Sequence, residues 1–496
     1  MKKTFFCLVS ILHLVTISVA QTDTSSSTIP ILNGTILNGN NIPLPYVNVI
    51  SLNTGKGTIS NEHGNFSIDI NSLNDTNVIR FQCIGYKTKE LTIERISNNV
   101  PILLSENIYT LDEVLVLGTT PDPEEIVKAI LENKELNYKN KPHKKQVFIR
   151  KKSSSDFLDF KLNYKKSTIS DLSPEIVKSI EEHTPKHSTS YSDFLGYVYS
   201  NENKDKKNHL KVDPIKTVTL KSKDITELES SYSVFDSLFS NTKDKEYWKV
   251  KTGILGTKIN FNEKEDEDST NYQSLKSYAN RINSHLSYSR FEDDDLWEFL
   301  HKTKRYNYTI IGGTSINNES VYIIDFTPKR KGTYEGRLYV SIESSALIRA
   351  DYKYAPDKFG MNVHLLGIGY TQTIFNGSIY FEKNKENYNL KYFSHQSGYK
   401  ISVNRKIALQ HKKKRFLFDK KLNELKVGLD FSQVYEESLE LLVIDNNGIE
   451  ADEFERFKQK EKMKITYINQ FDENLWKGYT TITPTKQMKE YKKLEE

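Results

Sequence analysis

From Ile31 to Leu104, apolar and polar positions alternate in short runs separated by glycine and asparagine. Phe66, Ile68 and Ile70 alternate with Ser67 and Asp69; Val47, Val49 and Leu52 mark one run, and Ile79, Phe81 and Cys83 another. A period of two puts every second side chain on one face, so each run reads as a strand with one buried side. About seven such runs at short spacing predict a β-sandwich. Gly64 and Gly85 fall where tight turns need a residue tolerant of positive φ, and Pro43 and Pro45 stand at a strand entry, where a missing N–H costs little.

The period then changes. Asp122-Pro123-Glu124-Glu125 has the form of a helix start: an aspartate cap, proline at the first helical position and glutamate three residues after the cap. Ile126, Val127, Ile130 and Leu131 continue it as an apolar stripe. Residues 146–230 are rich in Lys and Ser and weakly patterned, with one helix expected at Pro174–Glu182. Residues 231–305 read as more helical, with acidic and aromatic residues interleaved at Phe291–Leu300.

From Tyr306 the alternation returns. Thr309–Ile311, Val321–Phe326, Leu338–Ile342, Leu347–Tyr352, Met361–Tyr370, Ser378–Phe381, Tyr388–Phe393, Tyr399–Ala408 and Glu424–Phe431 are successive strand candidates, punctuated by Gly312-Gly313, Gly332, Gly336 and Asn376-Gly377. The fold class expected is mainly β, α+β overall: a seven-stranded transthyretin-like sandwich, a helical middle segment and a C-terminal curved antiparallel sheet of half-barrel form. The boundaries expected are a sandwich at 31–117, a linker helix and mixed, partly helical region at 118–305, and an antiparallel β region with a charged C-terminal tail at 306–496. An apolar sheet face of that size needs a cover, and Leu296, Trp297, Phe299 and Leu300 are the candidates to supply it.

The N-terminus adds a compartment. Lys2 and Lys3 precede an apolar run from Phe5 to Val15, and Ser18-Val19-Ala20 is a small-residue cleavage site. Residues 1–20 read as a signal peptide cut after Ala20, and residues 21–30 as a disordered leader. Gln21 follows the cut where a lipid anchor would need cysteine. The formal net charge of +5 falls to +3 without Lys2 and Lys3, which leaves no footprint for nucleic acid. Cys83 is then the sole cysteine, so no internal disulfide can form, and its apolar setting reads as core. Export without disulfides fits a bacterial periplasm or cell surface.

The stretch from Gly34-Thr35-Ile36 through Pro43-Leu44-Pro45-Tyr46-Val47-Asn48-Val49, Gly57-Thr58-Ile59-Ser60-Asn61-Glu62-His63-Gly64-Asn65-Phe66 and Ile84-Gly85-Tyr86-Lys87 resembles a carboxypeptidase-regulatory-like domain, a small transthyretin-like sandwich. Leu111-Asp112-Glu113-Val114-Leu115-Val116-Leu117-Gly118 resembles the segment that follows this sandwich in TonB-dependent outer-membrane receptors. A sandwich, an Asp-Pro-Glu-Glu-capped helix, Asn137-Tyr138 with Lys141-Pro142, a strand at Gln146–Arg150 and a terminal Trp476…Tyr479…Pro484 segment together resemble larger Gram-negative proteins that carry such a domain. The resemblance implies a fold and an envelope location. It implies no reaction, because the regulatory-like domain is the accessory part of the carboxypeptidases and their H-x-x-E zinc pattern is not found.

Candidate chemistry is sparse. His183 and His187 stand four apart beside Glu181 and Glu182, a spacing that can hold zinc on a helix; Pro185 between them opposes a regular helix. Glu263, Glu265, Asp266, Glu267 and Asp268 form one acidic run and Asp293–Asp295 another, which read as solvated segments rather than calcium sites. Asp445-Asn446-Asn447-Gly448 fails as a calcium loop, because Val443 and Phe454 fall on ligand positions. His411-Lys412-Lys413-Lys414-Arg415 is a basic run suited to anionic head groups or to an exposed turn. No G-x-S-x-G, phosphate loop or Cys/His pair is present. No catalytic, cofactor-binding or metal residue is therefore expected.

The function expected is that of a non-catalytic exported protein, a periplasmic or outer-membrane-associated binding or structural module. Its expected partner is an outer-membrane protein, a lipid or another apolar ligand, with no nucleic acid and an oligomeric state left open. Two alternatives stand beside it: an integral outer-membrane barrel or TonB-receptor-associated component, and a hydrolase without a recognisable motif. A barrel would need strands of about nine to eleven residues with one face apolar throughout, and Lys383, Lys385, Arg405 and Lys406 interrupt such faces. A half-barrel under a helical lid is similar in architecture to periplasmic carriers of lipid-modified proteins, and a groove of that kind would hold an acyl chain or an apolar segment.

Overall fold

Seven short strands build the N-terminal sandwich in the computed structural model: β1 (Ile31–Asn38), β2 (Asn48–Ser51), β3 (Gly57–Ile59), β4 (Asn65–Asp69), β5 (Val78–Gln82), β6 (Lys89–Thr92) and β7 (Ile102–Leu104). One sheet has the order β4-β1-β7 and the other β3-β2-β5-β6. Residues 31–109, 121–221 and 246–491 are described, apart from 55–56, 71–72, 98–99, 140, 170–171, 185, 203–207, 253–254, 260–271, 318, 385–386 and 417. The expected signal peptide (1–20), leader (21–30) and the whole 111–118 segment lie outside the described residues.

The sandwich core is the one the alternation predicts. Val49, Phe66, Ile68, Ile79 and Phe81 are all buried, and Cys83 sits among them as a free thiol. The Phe66 and Phe81 rings meet edge to face at 5.5 Å. Gly34 is needed for this packing, because a Cβ there would lie 2.6 Å from the Phe66 ring. Gly64 and Gly85 both take positive φ, 72° and 86°, as their turns require.

The rest of the molecule is organised by a sheet of fourteen described strands. Its first members are β8 (His143–Ser167), β9 (His187–Glu202) and β10 (Asn208–Lys221), followed by β11 (Glu246–Thr252) and β12 (Leu255–Ile259). The antiparallel region therefore starts at His143 and not at residue 306. The region expected to be mixed and weakly patterned holds three of the sheet's long strands. After the short β13 (Tyr272–Ser274) come β14 (Tyr306–Ile316), β15 (Glu319–Pro328), β16 (Tyr334–Ser341), β17 (Leu347–Tyr354), β18 (Asn362–Leu365), β19 (Ile368–Asn384), β20 (Asn387–Lys413) and β21 (Lys420–Gly448). Two short strands close the chain, β22 (Lys462–Lys464) and β23 (Thr466–Ile468). The main order is β14-β15-β16-β17-β19-β20-β21-β8-β9-β10-β23, with β11 added to β20 and β18 to β19. The two ends, β14 and β23, stay apart in this order, so the described sheet is open.

Helices flank the sandwich and the large sheet. The first, α1 (Pro123–Glu132), is capped by Asp122, which accepts from the Glu124 N–H at 2.9 Å, and it buries Val127 and Ile130. A second, α2 (Pro174–His183), is capped by Ser173. Two more, α3 (Leu275–Ser287) and α4 (Glu298–His301), lie against one face of the large sheet.

The opposite face carries a straight cross-strand row of polar residues. Asp325, Arg337, Asp351, Ser378, Ser394, Glu440, Arg150 and Asp193 are successive register partners from β15 to β9. Opposite charges directly across a ladder stabilise it, and most members are bonded. Arg337 grips Asp325 at 2.6 and 3.0 Å, and Arg150 grips Asp193 at 2.9 and 2.7 Å. The C-terminal segment crosses this row. Its Trp476 donates to Asp193 at 3.1 Å, its Ile482 carbonyl accepts from Arg150 at 2.8 Å, and Met488 is buried beyond them. Far from being a free charged tail, the described chain is anchored here up to Tyr491. The sandwich leans on the same side: the Tyr46 ring packs on Tyr392 at 4.7 Å, and Thr58 donates to the Thr481 carbonyl.

Candidate functional site

The face opposite the polar row is largely apolar, although Lys151, Ser397, Glu437 and Gln433 also lie on it, and α3 and α4 cover only its near half. Trp297 and Phe299 are fully buried there. Phe299 stacks on Phe326 at 4.4 Å, Trp297 packs on Tyr352 at 5.4 Å, and the Trp297 N–H donates to the Tyr288 carbonyl at 2.9 Å. From α3, Tyr278 packs on Phe194 and His285 faces His395. The expected cover is therefore present, but it fills the face as core. No acyl-sized groove lies between Trp297 or Phe299 and the sheet, because their rings occupy that space.

Beyond Tyr288 the same face continues past the reach of α3 and α4, while α2 lies along the outer end of β8, where its Glu181 accepts from the Leu162 N–H at 2.7 Å. Parity carries it outward: on β20 the side chains of Phe393 and His395 share a face with Tyr399, Ile401, Val403, Ile407 and Leu409. The register adds their neighbours. Ile368, Val403, Phe431 and Phe160 form one four-strand row; Tyr370, Ile401, Gln433 and Phe157 form the next; Ile407, Val427 and Tyr164 form a third. Ring contacts knit the rows together, with Phe157–Phe160 at 5.4 Å, Phe157–Phe431 at 6.2 Å, Tyr370–Tyr399 at 5.6 Å and Tyr399–Tyr435 at 6.3 Å. Val403, Phe431, Phe157 and Phe160 are all half-buried. From Ile401 to Leu409 the track is about 25 Å long at strand rise.

A cation interrupts it. Arg405 shares this face with Leu429 and Leu162 beside it in register. Its guanidinium donates to the Thr252 hydroxyl at 2.8 Å, to the Thr252 carbonyl at 3.0 Å and to the Leu366 carbonyl. The hairpin next to it exposes Met361, Leu365 and Leu366, each by more than 60 %. The reverse side of these strands carries Lys400, Asn404, Lys406, Lys426, Asp430 and Lys161, all exposed. The ribbon is thus apolar on one side and charged on the other.

A second concave feature lies on the polar side, where the sandwich, the large sheet and the C-terminal segment meet. This cavity of about 360 Å³ is lined by Tyr46, Arg150, Tyr191, Ser394, Glu440 and Gln487 among others. Tyr392 donates to Glu440 at 3.0 Å. Burial pushes the Glu440 carboxyl up to about 7, against the opposing pull of Arg150. On the apolar side, burial pushes His285 and His395 down to about 4, with Glu437 pulling the other way and Lys151 adding to the shift.

The residues singled out in the sequence are scattered. His183 ends α2, while His187 begins β9 and bonds Asp156 at 2.5 Å, so the two do not share one helix. Among the described residues no group of three or more His, Cys, Asp or Glu could hold a metal. Asp293 caps the turn before α4, accepting from the Asp295 and Leu296 N–H groups, and Lys302 pairs with Asp294 and Asp295. Glu263–Asp268 lies outside the described residues. Asp445 lies in β21 and accepts locally from the Asn446 N–H and the Asn447 amide. His411 stacks on Trp248 at 4.6 Å, while Lys414 and Arg415 stand exposed at a hairpin tip. The uncovered apolar face itself was legible only in part. Ile401, Val403, Ile407 and Leu409 alternate plainly, but nothing local says which strand faces stay uncovered.

Comparison with known proteins bears on the N-terminal part. Residues 32–116 match the CarboxypepD_reg-like domain family. An 87-residue stretch, 18 % of this chain, is 33 % identical to the TonB-dependent receptor P39 of Formosa agariphila, and it spans 8 % of that receptor. Among solved structures, the MucA/MucB complex of Pseudomonas aeruginosa overlaps 70 % of this chain and 100 % of the matched chain, at 7 % identity and a TM-score of 0.19. A putative outer membrane lipoprotein-sorting protein domain from Vibrio parahaemolyticus overlaps 67 % of this chain and 97 % of its own, at 8 % identity and a TM-score of 0.19. Overlaps this slight do not place the large sheet in either fold.

Proposed function

We propose that this protein is an exported, non-catalytic binding module of the Gram-negative envelope that holds an acyl chain on the uncovered apolar face of its large sheet. The observation that carries the reading is the run of rows from Ile368–Val403–Phe431–Phe160 to Ile407–Val427–Tyr164, half-buried except for the exposed Ile368. A sheet face offers side chains and no free backbone groups. An extended peptide laid on it would leave its own N–H and C=O groups unpaired, which is costly. A hydrocarbon chain has no such groups. The donors of Arg405, the cation on the track, are directed at Thr252 and Leu366. The regulatory-like domain at 32–116 and the expected cleavage after Ala20 support a place in the periplasm or at the outer membrane. The open strand order and the charged reverse face speak for a protein at the membrane periphery over an integral barrel, whose outer face would be apolar.

The test is titration of the purified mature chain with a fluorescent fatty acid, paired with solvent extraction of the protein as isolated. Saturable binding that V403D/F431D weakens at least tenfold is the expected result. No co-purifying lipid together with no saturable binding would sink the reading.

A further inference from the structure

The tip of the β20–β21 hairpin combines two features that rarely meet on a protein that works wholly in water. Phe416 is 102 % exposed and Phe418 86 % exposed. Around them stand Lys412, Lys413, Lys414, Arg415, Lys420 and Lys421, with Asp419 the single acid between 412 and 421. Those ten residues carry six positive charges and one negative, a net of +5. The whole chain is also +5, so all the remaining residues together sum to zero. The excess charge of this protein is concentrated at one tip.

Position adds to composition. From Ser394, in the polar row beside the sandwich, β20 runs to Lys413, a span of about 60 Å at strand rise. The tip therefore stands far from the sandwich. Neighbouring acids engage part of the charge: Lys413 lies 3.5 Å from Glu246 and Lys421 2.9 Å from Glu424. Lys414, Arg415 and Lys420 remain exposed beside the two rings. An aromatic ring wholly in water at the centre of a cationic ring suits the boundary layer of a bilayer, where rings enter the acyl edge and cations meet phosphate.

We propose that this hairpin tip docks the protein on a lipid surface bearing anionic head groups, with Phe416 and Phe418 inserted and the flanking cations on the phosphates. The proposal stands on the tip alone and does not need the apolar face to hold a ligand.

Flotation of the full mature chain with vesicles tests it, using phosphatidylcholine alone and phosphatidylcholine with about 30 % phosphatidylglycerol as an illustrative anionic composition. Binding is expected only to the anionic vesicles, and raising the salt from low to molar should abolish it. F416S/F418S should lower the bound fraction at least tenfold, and K414E/R415E should remove the preference for anionic vesicles. Both pairs are exposed, so circular dichroism should match the parent chain. F416W should show a blue shift in emission when anionic vesicles are added. Equal binding by F416S/F418S, an unshifted F416W spectrum, absence of binding to either vesicle, or tip-dependent self-association without vesicles would each overturn the proposal. Fatty-acid titration of F416S/F418S separates the two readings, because it should keep the parent chain's affinity.

Discussion

The two halves of one sheet face differ in what lies on top of them, not in what they are made of. Near the sandwich, Phe326, Tyr352 and Phe393 lie under Trp297, Phe299 and Tyr288 and are almost wholly buried. Further along the same strands, Val403, Phe431, Phe160 and Tyr370 lie beyond α3 and α4 and stay half-buried. Alternation is the same in both halves. Apolar side chains facing one way are therefore necessary for a core but not sufficient for one. A second element has to arrive, and α3 and α4 reach only the first half.

The comparison breaks if removing the cover costs little. Trp297→Ala should destabilise the protein by about 3–5 kcal/mol, because it empties a fully enclosed site that cannot collapse. Denaturant unfolding checks it, and a loss under about 1 kcal/mol would mean the cover is loosely laid.

The polar side offers a second contrast. Asp193→Ala would leave Arg150 charged inside the protein without its two-point carboxylate partner, facing only the Ile482 carbonyl and the neighbouring Glu440. A buried pair broken on one side costs about 3–5 kcal/mol, whereas replacing both partners by apolar residues of similar volume should cost much less. The same double substitution tests whether the row contributes stability or register.

Acid and base should act on the two faces with opposite sign. His285 and His395 sit on the apolar side with pKa values pushed down by burial to about 4, from 6.5. Their neutral forms are favoured in the fold, so stability is full above pH 6.5 and falls as pH drops toward 4. Glu440, on the polar side, is raised from 4.5 to about 7. Its protonated form is favoured in the fold, so stability falls as pH rises from 4.5 to about 7 and then levels. Melting temperature against pH should show both limbs, with His395→Asn flattening the acid one and Glu440→Gln the neutral one. If Glu440→Gln leaves the neutral limb unchanged, the decline belongs to another group.

Phe431→Ala is the smallest effect expected. A half-exposed ring on the uncovered track should cost about 1 kcal/mol or less in stability while lowering acyl-chain affinity. A loss as large as that of Trp297→Ala would show that Phe431 is core and that the two halves do not differ.

The sandwich was legible because its strands are short, unbulged where it matters and punctuated by glycine. Phe66, Ile68 and Phe81 announce their own burial. The helix starts at Asp122 and Ser173 were legible for a similar reason, since a cap and a proline act within one turn. Of the strand β8 only Gln146–Arg150 was legible, and its register shows why the rest was not. An extra residue at Leu158 and another at Lys165 shift the phase, so Phe157, Phe160, Leu162 and Tyr164 share a face at spacings of three, two and two. A strict period of two cannot find them. The strand β20 was read as two pieces because Ser394–Ser397 is polar on both faces. There the polar row lies on one side, and His395 packs under α3 and Tyr288 on the other.

By itself, then, the sequence determined the sandwich, the helix starts, the basic hairpin and the existence of an apolar strand face, because each rests on contacts a few residues apart or on composition. Only the tertiary structure decided that His143–Lys221 joins the large sheet and that eight residues from eight strands align as one polar row. It also decided that, among the described residues, α3 and α4 fill only the near half of the face. Those outcomes depend on pairings hundreds of residues apart, such as Glu440 with Arg150, and local alternation carries no information about which distant element will come to rest on a given strand.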